Sequence, residues 1–296
     1  MSHGRRLRSA SKHESCFEPS VPKPRSDVYA SSGVQIIPSG SSRLPGLKAS
    51  ELALLRQKQR KLAANASTTL ASLPSSSPQL RTALEASLIF AQREAGSAVC
   101  VDPAGWVLTC AHCFGDTEEE YCRSPKKRWL LFYDGCAVQV ECRAWDLTRD
   151  LALLRIVALE NTGGDAVPPL FPFVRLAACA PPKGTRIVCI GQPGQDDLES
   201  ASARRTKYNL VEVSEGTVCG MVRGADPQDN SEIGTLMHDA WTYWGHSGAP
   251  LIHVGEGTLV GLHSSWDDRT AMRHGVPHAA VRVFLAIHLD ADKSDK

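Results

Sequence analysis

The chain has 296 residues, 42% of them hydrophobic and 22% charged, which is ordinary for a soluble globular protein with a sizeable core in one large or two small domains. Its formal net charge of +1 conceals an asymmetry, because residues 1–66 hold twelve Lys or Arg against four acids, giving +8 there and −7 in the remainder. No apolar run approaches the roughly 20 residues that cross a bilayer, and the opening MSHGRRLRSASKHES lacks the apolar segment of a secretory signal. An intracellular chain, cytoplasmic or nuclear and without a membrane partner, is therefore expected. In a reducing compartment its ten cysteines read as free, mostly buried thiols rather than a disulfide framework.

Residues 1–46 are rich in Ser, Pro, Gly and Arg without periodicity and are expected to form a disordered basic tail. A helical extension is predicted over 47–93. In ELALLRQKQRKLAANA the apolar residues fall at 52, 54, 55, 62 and 63, with Ser50 as the candidate N-cap. After the breaker SLPSSSP, the stretch PQLRTALEASLIFAQRE predicts a second helix starting near Pro78. The basic RQKQRK, 56–61, reads as a solvated helix face; no nucleic-acid fold motif accompanies it, and no nucleic-acid partner is expected.

From Gly96 the texture changes to short β-branched or apolar runs between turn residues: SAVCVD, GWVLTC, WLLFYD, AVQVEC, LALLRIV, TRIVCIG, NLVEVSEGTVCGMV, APLIHV and GTLVGLHS. This spacing predicts an all-β sandwich or barrel, with a hairpin at 255–257. The closing VRVFLAIHL, 281–289, fits either a strand or a capping helix.

The stretch WTYWGHSGAP, 241–250, sets Ser247 between Gly245 and Gly248. A neutral serine attacks a carbonyl only if a base takes its proton, a third group holds that base, and donors meet the developing oxyanion. His112 lies directly after the strand pattern GWVLTC, at a strand end. Asp150 opens RDLALLRI, where an apolar strand would desolvate its carboxylate unless a donor such as a His N–H pairs with it.

TCAHC, DLALL and GHSGAP, in that order, resemble the three signature blocks of the chymotrypsin-like serine proteases. GSAVCVDPAGWVLT, KGTRIVCIGQPG, SEGTVCGM and HDAWTYWGHSGAPLI with GTLVGLHS look closer to the Deg/HtrA branch, so the similarity spans about 95–285. The resemblance implies two antiparallel Greek-key β-barrels, at about 94–175 and 183–280 within a protease domain over 94–290. It implies a serine endopeptidase acting on protein or peptide substrates without a cofactor. His112 would be general base and then acid, Asp150 its orienting carboxylate and Ser247 the nucleophile, with the oxyanion hole at the N–H groups of Gly245 and Ser247. The specificity pocket would have Trp241 at its base and walls from Leu262, His263, Ser264 and Ser265. No carboxylate stands at that base, which disfavours Arg or Lys in the substrate, and Tyr243 with Trp244 either narrow the pocket toward a small or medium apolar residue or merely pack the loop.

Three departures qualify that picture. His246 stands where secreted relatives carry an Asp, and with no I-V-G-G start, activation by a new N-terminus is not expected. Ser97 stands near where a disulfide partner of Cys113 would align, in keeping with a free thiol. No PDZ domain is expected after the last matched block. Two rival functions remain. Cys110 and Cys113, with Cys122 and Cys100, have a ligand-like spacing, but no second C-x-x-C exists and no metal is expected. The other rival is a protease fold that holds extended peptides without cutting them. The oligomeric state is open.

Overall fold

The computed structural model describes residues 33–75, 77–92, 96–160, 170–196 and 204–289. Most of the expected basic tail, 1–32, lies outside them. Residues 33–46 depart from the expected disorder. Gln35–Ile37 form strand β1, Leu44 is buried, and the Pro45 carbonyl accepts from the Trp129 indole at 2.9 Å and the Gln139 amide at 3.0 Å. Few as its apolar residues are, this segment borrows a finished barrel as its partner.

Helix α1 (Ala49–Ala71) begins one residue before the expected cap. The Lys48 N–H donates to Glu51 at 2.7 Å, which leaves Ser50 inside the first turn. Its buried face comprises Leu55, Lys58, Leu62 and Thr69, so the basic stretch is not wholly solvated. Arg56 pairs with buried Glu160 at 2.6 Å, and Lys58 Nζ donates to the carbonyls of Phe90 and Gln92 at 2.9 and 2.7 Å. Helix α2 (Pro78–Glu85) is capped by Ser77, whose hydroxyl accepts from Leu80 N–H at 3.2 Å.

The second predicted helix stops at Glu85, because Ser87–Phe90 is strand β2 and barrel one begins there rather than at 94. All four β2 residues are buried. Such a fully buried apolar run carries no alternation to tell strand from helix.

Barrel one continues with β3 (Ser97–Asp102), β4 (Trp106–Thr109), the short helix α3 (Glu118–Arg123), β5 (Lys127–Phe132), β6 (Ala137–Asp146) and β7 (Leu151–Glu160). Its order is β7-β4-β3-β2-β5-β6, closed by β6 on β7, and β1 lies parallel on the far half of β7. Barrel two contains β8 (Arg186–Gly191), β9 (Glu212–Met221), β10 (Leu236–His238), β11 (Pro250–His253), β12 (Leu259–Trp266) and β13 (Arg273–Pro277). It closes in the order β10-β13-β12-β11-β8-β9. Helix α4 (His278–His288) resolves the ambiguity of the closing stretch, burying Ala280, Val281 and Phe284 at helical spacing.

Both barrels are thus antiparallel and six-stranded, and both follow one strand order. In each, the third strand neighbours the second and the sixth, and the first neighbours the second and the fourth. Ser247 and His112 therefore sit in equivalent connections, each between the third and fourth strands of its own barrel. Strands β1, β10 and β13 and helix α3 left no readable pattern: each has six residues or fewer.

Candidate active site

At the end of β4 the chain tightens into a single 3-10 turn, Ala111–Cys113, which carries His112. Opposite it, the connection from β6 to β7 bends sharply. Asp150 takes φ +52°, and its N–H closes the turn on the Leu147 carbonyl at 3.1 Å. Among non-glycine residues Asp and Asn tolerate this left-handed backbone best. The bend aims a buried carboxylate at the histidine.

Asp150 is met by three donors. His112 Nδ1 lies 2.9 Å from Oδ1 and 3.1 Å from Oδ2, the His112 N–H donates to Oδ1 at 3.2 Å, and the Ser264 hydroxyl donates to Oδ2 at 2.7 Å. An ionised carboxylate only accepts, so Nδ1 carries the proton and Nε2 is left as an acceptor. Burial pulls the imidazole pKa down, but the hydrogen bond and charge of Asp150, with Asp116 adding, outweigh it and hold it above the ordinary 6.5.

Ser247 sits in the connection from β10 to β11, flanked by two backbone conformations that favour glycine. Gly245 has φ +100° and Gly248 φ +81°. At Gly248 even space is lacking, since a Cβ would come within 2.2 Å of the Ser97 carbonyl and 2.4 Å of Thr109 Oγ1. Ser97, expected only as a missing cysteine, pins this loop: its N–H donates to the Ser247 carbonyl at 2.8 Å and its hydroxyl to the Gly245 carbonyl at 3.3 Å. Among the described residues the N–H groups of Gly245 and Ser247 make no hydrogen bond. The Ser247 hydroxyl donates to the Ser264 carbonyl at 3.3 Å, and no hydrogen bond joins it to His112.

His112, Asp150, Trp241, Gly245, Ser247, His263, Ser264 and Ser265 all line one cleft of about 620 Å³. Leu262 does not. It is fully buried in the core, while His263, Ser264 and Ser265, where the pairing of β12 with β13 shifts register, line the cleft. Trp241 packs edge-on against His246 and close to Tyr208, with ring centroids 5.4 and 4.9 Å apart. His246 turns back on its own loop, its Nδ1 3.1 Å from the Tyr243 nitrogen and 3.0 Å from the Tyr243 oxygen, and burial lowers its pKa to about 4.

The thiols near His112 are held protonated by burial, which makes them poor nucleophiles. Desolvation pushes Cys113 up to about 12 and buried Cys110 well above its ordinary value. Cys110, His112 and Asp150 bring a sulfur, a nitrogen and an oxygen within 4.8 Å of one another, but His112 and Asp150 already bond each other and the Cys110 thiol donates to the His263 carbonyl at 3.4 Å. Cys113, Cys122 and Cys100 lie outside that group.

Sequence reasoning placed Ser264 on the pocket wall and missed its bond to Asp150. They are 114 positions apart in the chain, and only the closed barrels bring the two together.

The family model described as trypsin-like peptidase domain matches residues 96–262, more than half of the chain, a span that holds His112, Asp150 and Ser247 and ends just before His263, Ser264 and Ser265. The chain belongs to the trypsin-like peptidase family. Two solved structures of the Rv3671c protease share the fold of this peptidase domain. One is described as an inactive serine-to-alanine mutant from M. tuberculosis H37Rv and the other as an inactive form. Each superimposes with a TM-score of 0.50, at 15% and 17% identity, covering 71% of this chain and 90% and 92% of theirs. Among curated proteins no sequence matches.

Proposed function

We propose that this trypsin-like peptidase is a serine endopeptidase in which Ser247 attacks the scissile carbonyl, His112 Nε2 takes its proton and returns it to the leaving amine, and Asp150 holds the imidazolium. The N–H groups of Gly245 and Ser247, unspent within the protein, receive the oxyanion, where one donor is typically worth about 10²- to 10³-fold in kcat. The observation that carries the reading is the buried carboxylate of Asp150, which fixes the His112 tautomer in the cleft that Ser247 also lines. Protein or peptide substrates follow from the family. An intracellular site of action accords with the nine cysteines that are free among the described residues.

One observation favours a second reading, a silent peptide-binding protein: the Ser247 hydroxyl is bonded to the Ser264 carbonyl and not to the imidazole. Catalytic hydrogen bonds are often loose without substrate, and Ser247 and His112 line the same cleft. Labelling with a fluorophosphonate probe, located by mass spectrometry, decides between them. An adduct on Ser247 that Ser247→Ala abolishes supports hydrolysis; well-folded protein that takes no label supports the silent reading.

A further inference from the structure

Four histidines, His238, His246, His263 and His274, are buried in barrel two, and the reaction uses none of them. His263 adjoins the nucleophile loop directly: the Gly248 N–H donates to its carbonyl at 2.9 Å, and its own N–H donates to the Ala249 carbonyl at 2.8 Å. Only 4% exposed, its ring turns one edge to the cleft. His263 Nδ1 lies 3.1 Å from His238 Nε2, while His263 Nε2 has no partner among the described residues.

Arg273 reaches the same end of the cleft. On β13 it stands across from His238 on β10, and cross-strand partners share a face of the sheet. Its Nε is buried without a partner, and Nη1 donates to the Ala271 carbonyl at 3.2 Å. Glu232 and Asp268 also border the cleft, but both are exposed on its rim, where water screens them.

The tautomers of the pair follow from electrostatics. His238 Nδ1 is buried and unpartnered whichever ring donates, so it is either a lone pair or an orphaned N–H. With the Arg273 cation nearby, a lone pair is the cheaper choice. His238 Nε2 then donates to His263 Nδ1, and His263 presents an N–H at Nε2 to the cleft. Burial first, then the charges of His238, His246, His112 and Arg273, keep His263 neutral in the empty site, and a neutral imidazole is sufficient as a donor.

We infer that this end of the cleft is a carboxylate pocket and that the peptidase selects Glu or Asp as the residue whose carbonyl Ser247 attacks, with His263 Nε2–H and the Arg273 guanidinium receiving the side chain. This assignment of the substrate residue rests on the proposed role of Ser247. It is offered in place of the apolar preference drawn from the flanking rings, Tyr243 and Trp244, which line the same cleft.

The test uses the full chain carrying Ser247→Ala, so that binding is read without turnover. Peptides identical except for a final Glu, Asp, Gln, Leu or Lys are titrated by fluorescence anisotropy. Glu or Asp should bind roughly 10- to 100-fold tighter than Gln, the size of one or two charge-assisted hydrogen bonds. Adding His263→Gln or Arg273→Met should bring that ratio toward one. Arg273 is only half-buried, so its variant keeps the test open if His263→Gln does not fold. Equal or tighter binding of Gln, Leu or Lys overturns the pocket, and so does a Glu preference that both variants retain. Fluorophosphonate labelling of the wild type separates the two claims. An adduct with no acidic preference sinks only the pocket, and acidic preference with no adduct sinks only the hydrolysis.

Discussion

Asp150 is the residue on which the proposed chemistry turns, because it is held by three donors and itself holds the base. Replacing it with Asn keeps the shape but offers a donor where an acceptor is needed, and kcat should fall by about 10⁴-fold through the wrong imidazole tautomer. The raised pKa of His112 sets a pH dependence of definite sign. Only the neutral ring accepts a proton, so kcat/KM should rise with pH through a value above 6.5. Stability runs the other way: the contribution of the charged His112–Asp150 pair is complete below 6.5 and is lost as pH rises through the higher folded value. Ser264→Ala would remove one donor from the carboxylate and leave it a stronger partner for the imidazolium. The acid limb should then move to higher pH while kcat/KM drops roughly tenfold, the scale of one charge-assisted hydrogen bond. An NMR titration of the His112 ring in wild type and variant measures the shift apart from turnover; a limb that moves to lower pH would contradict this account.

At the scale of elements, hydrogen bonds at the two ends of the β2–β3 connection tie it to helix α1 on one side and to the site on the other. Lys58 holds the carbonyls of Phe90 and Gln92, and the far end of the same connection supplies Ser97, which pins the carbonyls of Gly245 and Ser247. Lys58→Met would leave two carbonyls short of a donor and should cost about 1–3 kcal/mol. Because the strain falls on the proposed oxyanion loop, kcat should drop with KM little changed, whereas a purely structural role would leave kcat untouched in the folded fraction. A second tie fails in acid. Burial raises the Glu160 pKa, but bonds from Arg56, Gln59 and the Gly40 N–H lower it further, to a net value below 4.5. Its contribution is therefore present above 4.5 and lost as pH falls through the folded value, so α1 and β1 should become protease-sensitive in acid before the barrels do. These ties explain what could be read beforehand. The strands around His112 and Asp150 alternate or run apolar for six to ten residues and were legible. Lys58 and Arg56 looked like surface charge, because a buried carbonyl partner leaves no mark in sequence. His263 read as a pocket wall, while its partner His238 lies on a three-residue strand too short to show a period.

At the scale of the molecule, barrel two keeps an interior of its own, with Ile187, Cys189, Leu251 and Val260, yet the two barrels also share a core. One continuous apolar cluster joins Leu108, Leu130 and Leu153 of barrel one to Val188, Ile252 and Val276 of barrel two, and Phe284 of α4 belongs to it. The proposed base, His112, and the proposed nucleophile, Ser247, come from opposite sides of that shared core, so their alignment requires both barrels to be folded. Phe284 is fully buried, and Phe284→Ala should cost about 3–5 kcal/mol through lost transfer energy and the cavity left behind. The cost should fall on both barrels at once. In urea, the fluorescence of buried Trp129, which reports barrel one, and the histidine signals of His263, which report barrel two, should follow a single curve displaced to lower urea in the variant. Two separated transitions, with barrel one unmoved by the substitution, would show that α4 serves barrel two alone and that the catalytic alignment is set by contacts at the cleft rather than by a common core.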